Sequence, residues 1–192
     1  MVQSLRSIAE CLLTLEKNKR IHGDVKPRNA MEFRELLEAL IRLIDLDASA
    51  NHGEMAGLKW SSAFAPPELA ALIYEYAQLP AEGRVAWEEY VTSHPNRVLA
   101  STAFDVWSFG MILYILCAHE GASVFLTSAT DNIVRPEELR RLAYEWEEHK
   151  LEEVSQLVWA HAQDLALWCL QTDPSRRPSS FKDILDLSLI HI

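Results

Sequence analysis

The chain has 192 residues, of which 49% are hydrophobic and 24% charged, and a formal net charge of −10. This length and composition suit one globular domain with a hydrophobic core. The acidic balance, without any basic stripe, argues against nucleic-acid binding, and no apolar run reaches the roughly 20 residues that cross a bilayer.

The N-terminal segment and the cysteines indicate where the protein works. Residues 1–20 are amphipathic and lack the unbroken apolar stretch of a signal peptide. Cys11, Cys117 and Cys169 have no C-x-x-C spacing and lie in apolar, helix-like surroundings, which favours buried free thiols over disulfides or a metal site. Because thiols stay reduced in the cytoplasm, we expect a cytoplasmic protein.

A predicted helix over residues 2–19 leads into residues 22–29, which read HGDVKPRN and are the most informative stretch of the chain. The carboxylate of Asp24 can accept a proton from a hydroxyl group. The amine of Lys26 can contact a phosphate, and the amide of Asn29 can offer an oxygen to a hard cation such as Mg²⁺. The plainer interpretation is a polar turn between a helix and a strand, and the motifs further along the chain disfavour it.

This stretch resembles the catalytic loop of the protein kinases, which reads H-R-D-x-x-x-x-N. The spacing from Asp24 to Asn29 is that of the family, and Lys26 followed by proline is the form usual in serine/threonine kinases. Gly23 stands where the family has arginine. In many kinases that arginine pairs with a phosphate on the activation segment, so Gly23 predicts weaker control by phosphorylation of that segment.

In the family, two short strands follow the catalytic loop, and we predict them at residues 30–33 and 41–44. The resemblance implies that Met31 forms the apolar floor beneath the adenine base. Residues 34–40 have helix-forming composition and lack the Gly or Asn of a tight hairpin, which predicts a longer connection between the strands.

Residues 45–47, which read DLD, resemble the D-F-G motif, whose aspartate holds Mg²⁺ against the ATP phosphates. The resemblance gives this role to Asp45 and the packing role of the phenylalanine to Leu46. Asp47 replaces the glycine and adds a carboxylate near the metal.

Residues 45–68 then correspond to the activation segment, which ends in APPE, similar to the A-P-E motif. Ser61 falls where serine/threonine kinases have a threonine that bonds the catalytic aspartate and lysine. The link after Glu68, residues 69–102, is longer than the family's, with helical pieces predicted at 69–78 and 84–92. Four aromatic side chains in this insert either pack on the lobe or bind a partner: Tyr74, Tyr76, Trp87 and Tyr90.

Residues 104–110, FDVWSFG, resemble the start of the buried central helix of a kinase, predicted here at 103–118. The resemblance implies that Asp105 bonds the backbone of the catalytic loop. Residues 173–178, DPSRRP, resemble the D-P-x-x-R-P motif and imply an ion pair between Arg177 and Glu68. The C-terminal helices are predicted within residues 134–188, with helical stretches at 132–148, 154–170 and 179–187.

Together these motifs imply a mainly α fold: the large C-terminal lobe of a protein kinase over residues 1–192, with one or two short β-hairpins around the catalytic loop. The sequence has no glycine-rich phosphate loop and no lysine of the small-lobe type before His22. The face that the small lobe covers in the family should be partly apolar, and it calls for that lobe or another partner.

Three hypotheses remain. In the first, the chain is part of a serine/threonine kinase that uses ATP and Mg²⁺ and acts on a protein hydroxyl, and the chain alone is inactive. In the second, it is a pseudokinase-like scaffold or docking module, which Gly23 and Asp47 favour. In the third, a separate chain supplies the ATP-binding lobe. The first hypothesis makes Asp24 the catalytic base and places Lys26 at the γ-phosphate. It places Asn29 and Asp45 at Mg²⁺ and Met31 at the adenine ring of the nucleotide. Structural support would come from His22, Ser61, Glu68, Asp105 and Arg177.

Overall fold

The computed structural model describes residues 2–35 and 38–187. Over these residues the chain is mainly α-helical and forms two small antiparallel sheets, which confirms the predicted fold class. The elements in chain order are α1 (Val2–Lys17), β1 (Arg20–Ile21), β2 (Ala30–Glu35), β3 (Glu38–Leu43), β4 (Ala50–Asn51), α2 (Pro67–Gln78), α3 (Trp87–Ser93), α4 (Thr102–Cys117), α5 (Pro136–Arg140), α6 (Trp146–Val154), α7 (Ala160–Cys169) and α8 (Phe181–Asp186).

Helix α4 is the centre of the core because its sequence is apolar on every side. Its buried residues include Trp107, Phe109 and Tyr114, which are at most 2% exposed. The ring of Trp107 packs edge-on against Trp146, with centroids 5.5 Å apart, and Phe109 does the same with Phe181 at 5.9 Å. The other helices therefore pack around α4, as an all-round apolar helix requires.

The two sheets surround the loop that joins β1 to β2. Strand β1 pairs with β4, with Arg20 opposite Asn51, and strand β2 pairs with β3 from Ala30 opposite Leu43 onwards. Strands β1 and β2 therefore hold the loop at residues 22–29 from its two ends.

We predicted a long, helix-forming connection at residues 34–40. This prediction is wrong for those of its residues that the structure describes. Arg34 and Glu35 extend β2, and Glu38 to Leu40 belong to β3, in one continuous register. Leu36 and Leu37 lie outside the described residues. The backbone ladder between β2 and β3 outweighs the helix propensity of these side chains, which is only a few tenths of a kcal/mol per residue.

The C-terminal half departs from the predicted helix bounds in two places. The stretch predicted at 132–148 starts as α5 at Pro136, passes through π-helical turns over Arg141–Glu145 and continues as α6. The stretch predicted from residue 154 begins as α7 only at Ala160, because residues 155–159 form a turn in which Val158 N–H donates to the oxygen of Cys117 at 3.0 Å. Residue 188, the last of the predicted helical region, lies outside the described residues.

The remaining bounds agree closely with the sequence. Helix α8 starts after Ser180, whose side chain accepts from Lys182 N–H while Asp183 reaches back to the Ser180 N–H, a capping box. Cys117 and Cys169 are buried free thiols, and Cys11 is a half-buried free thiol. Within residues 2–35 and 38–187, no helix has the length and apolar character to cross a membrane.

Candidate active site

The loop at residues 22–29 is anchored on α4 through Asp105. The carboxylate of this buried residue accepts the backbone N–H of His22 at 2.6 Å and that of Gly23 at 3.0 Å. Burial raises the pKa of Asp105, and the two N–H bonds oppose that rise because they favour the charged form. A side chain of the first turn of α4 thus fixes the entrance of the loop.

Gly23 is required by the path of the chain. Its φ of +81° lies in the left-handed region, and a β-carbon there would be 2.3 Å from the backbone oxygen of Ala48. Ala48 belongs to the activation segment, residues 45–68. The side chain that kinases have at this position therefore has no room in this structure, because the activation segment occupies the space.

His22 ties the loop to the end of the β2–β3 hairpin. Its buried ring has Nε2 at 3.1 Å from the oxygen of Ile44, and its Nδ1 accepts the N–H of Asp24 at 3.4 Å. The two contacts together fit an imidazole that carries its proton on Nε2. His22 thereby orients the backbone of Asp24.

The polar side chains of the loop converge on Lys26. Its Nζ lies 2.7 Å from Asp24 Oδ2 and donates to Ser61 Oγ at 2.8 Å. Asn29 Nδ2 donates to the backbone oxygen of Asp24 at 2.9 Å and to Asp24 Oδ2 at 3.3 Å. Four of the residues that the sequence singled out therefore lie within one hydrogen-bonded group. The contact of Ser61 is with Lys26, and Ser61 is linked to Asp24 through that amine.

A second carboxylate, Asp131, reaches the same group and was missed by the sequence reasoning. Its Oδ2 is 4.0 Å from Lys26 Nζ and 3.3 Å from Arg28 Nε. Asp131 has a φ of 60°, and its backbone oxygen accepts the N–H of Ala63 at 3.2 Å. No motif in the sequence marks this residue, because its position depends on a turn that packs against a loop a hundred residues away.

The residues expected at a metal lie at the other side of the loop. Ile44 N–H donates to the oxygen of Asn29 at 2.8 Å, so Asp45 follows directly after a residue bonded to Asn29. Because Asn29 uses Nδ2 to bind Asp24, its Oδ1 is left as the acceptor, and Asp45 supplies an exposed carboxylate. Amide and carboxylate oxygens fit Mg²⁺. Across the described residues, no cluster of three or more His, Cys, Asp or Glu side chains could hold a metal ion by itself.

Two side chains of the DLD stretch behave differently from expectation. Asp47 forms an exposed ion pair with Lys59 at 2.7 Å, a partner that the sequence did not predict. The hydrogen bond from Lys59 lowers the pKa of Asp47. Leu46 is 52% exposed and thus lacks the packing role predicted for it. It lines a cavity of about 260 Å³ between α1 and β3, which Cys11 also borders.

Met31, the expected floor beneath the base, lies on β2 and is 46% exposed. Phe33 on the same strand is 42% exposed. The hairpin thus presents apolar side chains on an open face, as expected of a surface that another body covers.

Glu68 and Arg177 form a two-armed ion pair that closes the far end of the activation segment. Arg177 Nη1 is 2.9 Å from Glu68 Oε1, and Nη2 is 2.7 Å from Oε2. The Arg177 side chain is fully buried, and it also donates to the backbone oxygens of Gln171 and Ala103. This geometry fastens the start of α2 to the loop before α8.

The chain is similar to known protein kinases over most of its length. The family model described as "Protein kinase domain" matches residues 1–190. The chain is similar to a calcium and calcium/calmodulin-dependent serine/threonine-protein kinase of Lilium longiflorum, with 26% identity over 177 residues that cover 92% of this chain and 28% of that protein. A protein of the same description from Oryza sativa subsp. japonica is 25% identical over 177 residues, with the same two coverages of 92% and 28%. The chain therefore spans little more than a quarter of the length of these relatives.

Proposed function

Because the chain belongs to the protein kinase domain family, we propose that it is the large-lobe half of a serine/threonine protein kinase, which transfers the γ-phosphate of ATP to a protein hydroxyl. The observation that carries the proposal is the group around Lys26, in which Asp24, Asn29 and Ser61 meet within hydrogen-bonding distance. The two serine/threonine kinases with which the chain aligns support the choice of hydroxyl over other acceptors.

In this proposal Asp24 accepts the proton of the substrate hydroxyl. Its side chain is 15% exposed, so one face of the carboxylate remains open to a substrate while Lys26 and Asn29 hold the rest. A base that is fixed by two neighbours needs no reorientation at the moment of reaction, which is the main advantage of a positioned base.

Lys26 has a double task in the same reaction. It balances the charge of Asp24, and its ammonium group, 14% exposed, can also contact a phosphate from its place beside Asp24. Ser61 keeps the amine at the loop through its 2.8 Å hydrogen bond. Lys26 therefore links the base to the activation segment.

Asn29 and Asp45 would hold Mg²⁺, which supplies charge neutralisation for the phosphates when bound. The donor atoms are of the right class, since both residues offer oxygen. The chain supplies only part of a coordination shell, so the remaining ligands would come from the nucleotide and water. Met31 would pack against one face of the adenine ring of the nucleotide.

The second candidate function is a scaffold or docking module without catalysis. The specific observations in its favour are the ion pair of Asp47 with Lys59, in the place where the family has a glycine, and the open apolar face near Met31 and Phe33. A third arrangement, in which another chain supplies the ATP-binding lobe, shares the same active residues. A variant of Asp24 separates catalysis from scaffolding.

The test compares Asp24→Asn with Asp164→Asn in the full-length native protein that carries this sequence. Asp164 is an exposed residue of α7 and serves as the matched control. We expect Asp24→Asn to lower kcat for a serine-containing protein substrate by about 10²- to 10⁴-fold, with the KM for ATP unchanged and Asp164→Asn like the wild type. Equal transfer by both variants, or no transfer by the wild type, would overturn the proposal in favour of the scaffold.

A further inference from the structure

The insert runs alongside the activation segment and bonds to it through the backbone. Gly53 N–H donates to the oxygen of Ala100 at 2.9 Å, and Ala100 N–H donates to the oxygen of Glu54 at 2.8 Å. Ala56 N–H donates to the oxygen of Val98 at 3.0 Å. Residues 53–56 and 98–100 thus lie side by side like two short antiparallel strands.

A tryptophan adds a side-chain contact next to these backbone bonds. The indole Nε1–H of Trp87, the first residue of α3, donates to the oxygen of Gly57 at 2.9 Å. The ring of Trp87 also packs edge-on against Trp60, with centroids 5.6 Å apart. Helix α3 and the residues after it, which we call the strap (residues 87–100), therefore contact the activation segment from residue 53 to residue 60.

The strap is itself packed against the lobe, so it can hold the activation segment in a fixed place. The ring of Trp87 is 5.3 Å from that of Tyr76 on α2, and Tyr76 is 5.1 Å from Tyr90 on α3. Val91 of α3 is fully buried in the core. Aromatic pairs of this kind add to the stability gained from burial alone.

The contact of Trp87 lies one residue from the active group. Trp60 directly precedes Ser61, which is buried and accepts a hydrogen bond from Lys26 at 2.8 Å. Movement of Trp60 would therefore displace the acceptor that keeps Lys26 beside Asp24. The path from the strap to the proposed base consists of three contacts that the structure describes.

The strap also compensates for a feature that the loop lacks. Gly23 offers no cation to a phosphate on the activation segment, and the backbone of Ala48 lies against it at a distance that excludes a side chain. The segment must then be ordered by contacts that need no modification. The strap supplies such contacts over residues 53–60, beyond the point where β4 ends.

We propose that the strap orders the activation segment in the unmodified protein and that Trp87 is a positioning residue for the phosphotransfer. This inference rests on the proposed function for its catalytic part only. The ordering itself is a property of the fold and holds whether or not the protein is an enzyme.

The test is hydrogen–deuterium exchange of the full-length protein, after phosphatase treatment, with Trp87→Ala compared with Trp159→Ala. Trp159 is 40% exposed and directly precedes α7, and it takes no part in the contacts between the strap and the activation segment. We expect Trp87→Ala to speed exchange over residues 53–63 by about tenfold or more, with α4 unchanged and Trp159→Ala like the wild type. Unchanged exchange over residues 53–63 would overturn the proposal.

Trp87→Ala could speed exchange throughout the lobe, including α4. In that case a second variant tests the strap. Trp87→Phe keeps a ring against Trp60 and Tyr76 but removes the indole N–H that binds Gly57. Faster exchange confined to residues 53–63 in this variant supports the strap. Exchange that equals the wild type there, with α4 also unchanged, contradicts it.

The catalytic part has its own readout. We expect Trp87→Phe to lower kcat for the protein substrate, because the variant moves Ser61, the acceptor that holds Lys26 beside Asp24. The KM for ATP should stay at the wild-type value, because the residues proposed for the nucleotide do not contact Trp87. An unchanged kcat would mean that Trp87 has no positioning role. If the wild type transfers no phosphate, the proposed function fails while the exchange experiment still tests the strap.

Discussion

Gly23 and Ala48 meet so closely that a β-carbon on the glycine would lie 2.3 Å from the backbone oxygen of Ala48. At this point the loop at residues 22–29 and the activation segment approach each other through their backbones. An arginine at this position would push the segment away, so the glycine and the observed path of the segment belong together. Gly53 offers a matched comparison, because its φ is +84° and a β-carbon on it would meet no atom within 4 Å.

The first prediction concerns these two glycines. Gly53→Ala should lower the free energy of unfolding by about 1–2 kcal/mol, the cost of a side chain in the left-handed region. Gly23→Ala should cost about 1–3 kcal/mol more, because the methyl group also collides with Ala48. Urea unfolding of both variants measures the difference, and equal losses would show that the close contact does not constrain the segment.

The second prediction concerns the ion pair between Glu68 and Arg177. Glu68→Gln leaves the fully buried guanidinium without its charge partner, so we expect a loss of about 3–5 kcal/mol in the free energy of unfolding. Asp186→Asn breaks the exposed pair with Lys182 on α8 and should cost far less, because water screens exposed ion pairs. Similar losses for the two variants in urea unfolding would mean that the buried pair contributes little.

The sequence was sufficient to predict those parts of the molecule that depend on local pattern or on a motif. The apolar run of α4 predicts a buried helix by itself, and the resemblance pointed to the contacts of Asp105 and to the meeting of Glu68 with Arg177. The end of the β2–β3 hairpin was missed because its side chains favour a helix, and only pairing across the hairpin overrides that preference.

The position of Asp131 and the contacts of Trp87 were beyond the sequence for a different reason. Both depend on which loops pack together over long separations, and neither residue has a spacing that would reveal it. For Trp87 the sequence left two roles open, packing on the lobe or binding a partner, and its ring is engaged within the lobe here.

The third prediction concerns the cysteines. Burial raises the pKa of Cys117 and of Cys169, so both thiols should remain protonated and unreactive in the folded protein. Cys11 is half-buried and borders the cavity between α1 and β3. The experiment uses a disulfide reagent at a pH of about 8, near the usual pKa of a free thiol. We expect Cys11 to react first, and Cys117 and Cys169 to react only when the protein unfolds.

Cys11→Ala identifies the thiol that reacts in this experiment. The variant should lose the fast phase and keep the slow reaction of the two buried thiols. A fast phase that persists in Cys11→Ala would mean that α4 or α7 opens readily, contrary to the packing described above.

The fourth prediction is a loss of stability in alkali. Burial, with the nearby charge of Glu153, raises the pKa of Tyr114 to about 12, above the usual value near 10 of a tyrosine in an unfolded chain. The neutral phenol is therefore favoured in the folded state, and its contribution to stability is complete below pH about 10 and declines as the pH rises toward 12. The urea midpoint should fall over this range.

Tyr114→Phe provides the control, because it removes the titrating group and keeps the ring in the core. Its urea midpoint should depend less steeply on pH between about 10 and 12 than that of the wild type. Tyr144, whose pKa is also raised to about 12 by burial and by its bond to Glu75, contributes in the same direction and remains in both proteins. Parallel curves for the two proteins would contradict the assignment to Tyr114.

The most direct test of the proposed function and of the strap together is single-turnover transfer of the γ-phosphate of ATP by the full-length native protein after complete phosphatase treatment. We expect the treated protein to retain most of its rate, Asp24→Asn to lower that rate by about 10²- to 10⁴-fold, and phosphoserine or phosphothreonine to be the product. Loss of transfer after phosphatase treatment, with recovery when residues 45–68 are phosphorylated again, would contradict the role of the strap and leave the proposed function standing. Transfer by Asp24→Asn at the wild-type rate would contradict the role of Asp24 as the base.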